Sequence, residues 1–95
     1  MNTDTLDLVS DYFYQCFGIN PTYKVSVDED NYLIITKYSD DEEIIFEKDI
    51  EGLDDHEVIE VIKEWVRECD IRTSLTPKTF AQNKVALLGY LDCLA

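Results

Sequence analysis

The chain has 95 residues, 45% of them apolar and 12% aromatic, with only three Gly and two Pro, which is material for a single core and excludes two independent domains. Eight basic residues face 21 acidic ones, for a formal charge of −13. That balance disfavours direct binding to nucleic acid or to an anionic membrane and points to a basic partner.

The elements follow in chain order. From Asp4 to Phe17, Leu6, Val9, Phe13 and Phe17 recur at helical intervals behind Thr3 or Asp4 as a cap. Gly18 is placed to take the left-handed position past the helix end, and Asn20-Pro21 prevents continuation. Tyr23 to Val27 alternates as a half-buried edge strand, and Asp28-Glu29-Asp30-Asn31 turns the chain. Tyr32 to Tyr38 is apolar on both faces, as a central strand covered on two sides would be. After Ser39-Asp40-Asp41-Glu42, the run Glu43 to Lys48 puts Ile44 and Phe46 on one face and Ile45 on the other, completing an antiparallel meander.

Asp54 followed by Glu57 matches a capping box, and Val58, Val61, Ile62, Trp65, Val66 and Cys69 form the stripe of an amphipathic helix that packs on the sheet. Thr76 as N-cap and Pro77 at the first helical position open a last helix through Phe80, Val85, Leu88 and Leu91. The expected fold is α+β, αβββαα, with a three-stranded antiparallel meander packed against helices in one domain over residues 1–95. The opening Met1-Asn2-Thr3-Asp4 shows no secretory signal, and the apolar run Val85–Leu91 is far shorter than the ~20 residues of a membrane span. A cytoplasmic location is expected.

Charge is distributed unevenly. Residues 28–60 hold fourteen acids and two lysines, a net −12, while the segments on either side nearly cancel. The candidate contacts are Asp28, Glu29 and Asp30 in the first turn, Asp40, Asp41, Glu42 and Glu43 in the second, and Asp54 and Asp55 at the start of the second helix. In a meander the two turns lie at opposite ends, and a short last strand returns Asp54–Glu57 to the end of the first turn. Twelve charges match the density of about 20 Å of duplex DNA, so basic nucleic-acid clefts would attract this surface. The same acids also keep a small protein soluble without binding anything, and Asp54 and Asp55 have a structural role at a helix N-terminus. Glu60, Glu64 and Glu68 form a solvated helix face with Lys63 and Arg67 in pairing positions.

Other constellations are weaker. His56 stands alone, and Cys16, Cys69 and Cys93 lack metal-ligand spacing and read as core thiols in a reducing interior, with Cys93 the candidate for reactivity. Asp28–Asn31 begins like a calcium loop but has neither the Gly nor the final Glu. No metal, cofactor or catalytic set is expected. Tyr12 and Tyr14 cannot both lie on the buried stripe, so one of them, Tyr14 in the expected contact set, is exposed to anchor a partner.

In order of elements and in acidity, the chain resembles the small phage-encoded anti-CRISPR proteins that inhibit type II-A effector nucleases. The resemblance covers nearly the whole chain but rests on no signature string. It implies that acids of a strand turn, here Asp28, Glu29, Asp30 and Asp40 to Glu43, occupy the cleft that reads the protospacer-adjacent motif, inside a bacterial host. The expected function is a non-enzymatic acidic inhibitor that binds a basic nucleic-acid-binding protein, a CRISPR effector favoured, by DNA mimicry. The alternatives are an immunity or antitoxin protein against a basic nuclease toxin, and a phage adaptor binding through the apolar face of the last helix.

Overall fold

The apolar rhythm of the first segment closes into helix α1 (Thr3–Phe17) in the computed structural model, which describes residues 3–18, 21–69 and 77–94. Leu6, Val9, Phe13, Cys16 and Phe17 turn inward. Gly18, at φ 87°, ends the helix and donates its N–H to the Tyr14 carbonyl at 2.9 Å, the left-handed cap the sequence predicts. Three antiparallel strands follow, β1 (Thr22–Val27), β2 (Tyr32–Tyr38) and β3 (Glu42–Asp49), in the spatial order β1-β2-β3. Two helices complete the chain, α2 (Asp55–Glu68) and α3 (Pro77–Asp92), giving the expected α+β order αβββαα.

Register explains which strand face is dry. Val25 stands opposite Ile35 and Val27 opposite Leu33, and paired residues share a face, so these four point toward the helices together with Phe46, the other partner of Ile35. Leu33 and Ile35 are fully buried, and each such side chain contributes about 1.5–3 kcal/mol relative to exposure. A bulge between Ile35 and Thr36 admits Ile45 as an extra residue in β3. This corrects the expected alternation: Ile45 joins Phe46 against the core, and Ile44, opposite Thr36, is turned to the other face and is 54% exposed. That other face, with half-buried Tyr32 and Ile34, buried Thr36 and exposed Tyr38, is covered only in part, against the expectation of two covered sides for β2.

The edge of β1 is sealed. Ser10 of α1 accepts the Val25 N–H at 3.0 Å and returns its own hydroxyl proton to the Leu6 carbonyl at 3.0 Å. Helix α1 therefore lies along the outer side of β1 and satisfies a backbone donor that would otherwise be open to another strand.

Helix α2 starts on the expected capping box: Asp54 accepts the Glu57 N–H at 2.8 Å, and the Asp54 N–H reaches the Glu57 carboxylate at 3.3 Å. It buries Val58, Ile59, Ile62 and Val66, while Val61 and Trp65, expected in the stripe, are half-buried. It packs against α3, and its buried residues join Val25, Leu33 and Ile35 of the sheet in one core; the Trp65 ring lies 6.2 Å from Phe46 of β3 and 6.0 Å from Phe13 of α1. Helix α3 buries Leu87 and Leu91 and stacks Phe80 on Phe17 at 5.3 Å and Tyr90 on Tyr12 at 5.0 Å. Val85, expected on its inner face, is 71% exposed, and the expected cap Thr76 lies outside the described residues. Only Cys16 of the three free thiols is a core residue; Cys69 is half-buried and Cys93 exposed.

Candidate interaction surface

The first acidic turn is built by one of its own acids. Asp28 accepts the N–H groups of Asp30 at 2.9 Å and Tyr32 at 3.0 Å, and Asn31 takes a positive φ of 62° to close the loop. The chain leaving β3 is tied to this turn by the Ile50 N–H on the Asn31 carbonyl at 2.9 Å. There Asp49 accepts the Glu51 N–H at 2.9 Å, Gly52 turns at φ 83°, and Asp54 caps α2. Asp28, Glu29, Asp30, Asp49, Glu51, Asp54 and Asp55 thus share one end of the sheet, as the return of a short third strand predicts. Asp28, Asp49 and Asp54 are engaged with backbone donors, whereas the carboxylates of Glu29, Asp30 and Glu51 have no partner among the described residues.

At the other end lie Asp40, Asp41, Glu42 and Glu43, all exposed. Glu42 accepts the Tyr38 hydroxyl at 3.3 Å, and burial together with that carboxylate raises the Tyr38 pKa. Between the two ends runs β3, with six of its eight residues exposed, carrying Glu43, Glu47 and Asp49 beside Lys48. Eight residues at about 3.3 Å per step span roughly 23 Å. By register Glu42, Glu47 and Asp49 share the outer face of β3, and Glu43, opposite Lys37, lies on the other, so acids on both sides of this edge strand join the two clusters. Thirteen acids and two lysines from residues 28–57 give a net −11 over β3, the turns at its two ends and the start of α2.

Neutralisation occurs elsewhere. Among the described residues, ion pairs join Lys63 to Glu60 at 3.0 Å and to Asp92 of α3. Those hydrogen bonds, first to Asp92 and then to Glu60, push the Lys63 pKa up, and the Lys63 bond lowers that of Glu60. Lys63, read from sequence as a surface pairing residue, is a buried clamp between α2 and α3. Asp40, Asp41, Glu43 and Glu47 have no side-chain partner among the described residues.

Tyr14 is exposed at 52%, as one of the two tyrosines had to be, while Tyr12 is half-buried against Tyr90. It lines a shallow depression of about 410 Å³ between α1 and β1, with Asp7, Asp11 and Lys24. This places it on the β1 side, about 10 Å or two strand spacings from β3, so the structure does not bring it together with the acidic band. Sequence reasoning passed over Glu47, Asp49 and Glu51 as contacts; their alternate spacing along and just beyond a strand was the signal. It also missed a groove between β3 and α2 whose aromatic walls, Phe46 and Trp65, are nineteen positions apart in the chain.

Among the described residues no three His, Cys, Asp or Glu side chains are arranged to hold a metal ion, and no helix is long and apolar enough to cross a membrane. No protein-family model matches the chain, and no curated protein or solved structure is significantly similar to it.

Proposed function

We propose that this protein is a non-enzymatic ligand for the basic, nucleic-acid-binding cleft of another protein, with the acids of β3 and its two flanking turns standing in for phosphates. The observation that carries this reading is the unneutralised band. Glu29, Asp30, Asp40, Asp41, Glu43, Glu47 and Glu51 extend from β3 and the turns at its two ends, without carboxylate partners among the described residues. A fixed scaffold holds these charges without the ordering cost that a flexible acidic tail would bear on binding. Attraction at long range would speed encounter with a basic cleft, and added salt would slow it. Occupancy of the cleft excludes nucleic acid, so the consequence is inhibition. A type II-A CRISPR effector nuclease is the target we favour, on the resemblance in acidity and order of elements.

The test is capture of a partner from bacterial lysate on the immobilised protein, followed by elution with duplex DNA. Release of a nuclease by duplex DNA is the expected result; a partner that stays bound in excess duplex overturns the reading. Displacement of a labelled duplex from a guide-loaded type II-A effector then tests the favoured target. Failure there, with release of a nuclease toxin in the first assay, assigns the same surface to an immunity protein.

A further inference from the structure

We infer that the groove between β3 and α2 is a receptor for one arginine side chain of a basic partner. Its volume is about 270 Å³, at the lower end of the ~300–1,000 Å³ range of ligand pockets and room enough for one long side chain. Trp65 forms one wall. Phe13 holds its ring from the core in an edge contact at 87°, and Phe46 meets it at 56° from β3. The half-buried ring is therefore fixed while part of it lines the groove. Glu64 and Glu68, one helical turn apart on α2, are exposed and also line it. Among the described residues Lys48 of β3 is the cation of the lining, and the Lys84 ammonium of α3 bonds the carbonyl of Cys69, another lining residue, at 3.1 Å.

Aromatic walls beside two carboxylates select a cation with an apolar stem. A guanidinium fits better than an ammonium: it is planar, stacks on an indole face, is weakly hydrated, and offers two parallel N–H donors to a carboxylate. A second copy of this chain is a poor occupant, because both copies carry −13. That the arginine comes from a basic protein rests on the function proposed above; the preference of the groove for a guanidinium does not.

Trp65 is the only tryptophan of the chain and reports on the groove directly. The probe is the peptide acetyl-Gly-Arg-Gly-amide, titrated against Trp65 fluorescence, with the citrulline peptide as its neutral counterpart of the same shape. Saturable change with the arginine peptide is expected, with about fivefold or more weaker binding of the citrulline peptide and a similar loss in Glu64→Gln/Glu68→Gln. Lys48→Met removes the competing cation and is expected to tighten binding about twofold. Exchange of Asp28, Glu29 and Asp30 for Asn, Gln and Asn is expected to weaken binding by less than Glu64→Gln/Glu68→Gln does, since these acids do not line the groove and exposed charges act weakly through solvent. A silent Trp65, equal binding of the two peptides, or a loss in the turn variant as large as that in Glu64→Gln/Glu68→Gln overturns the inference. A silent Trp65 with intact DNA-sensitive capture removes the groove and leaves the acidic band. Arginine binding with no DNA-sensitive partner does the reverse.

Discussion

β1 and β3 are the two outer strands of one sheet, yet α1 lies along the first and β3 keeps most of its length exposed. At β1 a serine hydroxyl takes up a backbone N–H, and Tyr23 and Val25 are buried beneath the helix. At β3 the protection is electrostatic. Glutamates, an aspartate, a lysine and a bulge discourage another strand from adding, which is how edge strands avoid aggregation. The difference separates two roles for polar groups: at β1 they are consumed by the fold, at β3 they remain available. A charged edge that resists self-pairing is also a surface on which a basic protein can settle.

The largest expected effect sets core against edge. Leu33→Ala, on the buried face of β2, should cost about 2–5 kcal/mol in urea unfolding, whereas Ile44→Ala in β3 should stay within about 0.5 kcal/mol. Equal costs would mean that β3 is covered after all. Ser10→Ala comes next. It leaves the Val25 N–H without its acceptor and should destabilise by about 1–3 kcal/mol. The acids of the two roles then divide: Asp54→Ala should cost about 1 kcal/mol through loss of the cap, and Glu29→Gln, on an unpartnered carboxylate, should fall within about 0.5 kcal/mol of the parent.

The smallest effect at neutral pH, visible only in alkali, belongs to Tyr23 under α1. Burial, then the nearby Cys69, pushes its phenol up from 10.0 to about 12. A raised pKa means that the folded state holds the proton more tightly, so this contribution is complete below pH 10.0 and is lost as the pH climbs toward about 12. Tyr23→Phe should flatten the decline of stability across that window in alkaline unfolding curves. A decline of unchanged steepness would assign it to other groups, Lys63 among them, whose raised pKa gives a loss of the same sign above 10.5.

Local rules made much of this architecture legible. Gly18, the Asp54–Glu57 box and the alternation of Tyr23, Val25 and Val27 each state their conformation within a few residues. So did the return of the α2 start to the first turn, because strand length alone fixes it. The bulge at Ile45 was hidden, since a run of Glu-Glu-Ile-Ile-Phe permits either alternation and pairing with β2 decides. The pairing of Lys63 with Glu60 was legible from its spacing, but its burial and its second partner were not, because Asp92 comes from α3. Val85 faced outward because Leu87 and Leu91 set the buried side of α3 through contacts with α1 and α2. Of the interaction surface, composition gave the acidic middle third, but not that Asp28, Asp49 and Asp54 are committed to the backbone or that Tyr14 lies across the sheet.

The central claim is that the free carboxylates of the β3 side, and not the fold in general, carry partner binding. The direct measurement is the dissociation constant of the captured partner for the parent and for a variant with Glu29, Asp30, Glu43, Glu47 and Glu51 exchanged for their amides, taken between about 50 and 200 mM salt. The account predicts an affinity that falls about tenfold or more with salt in the parent, and a variant that is weaker and far less sensitive to salt. Equal affinities for the two proteins, unchanged by salt, would contradict it.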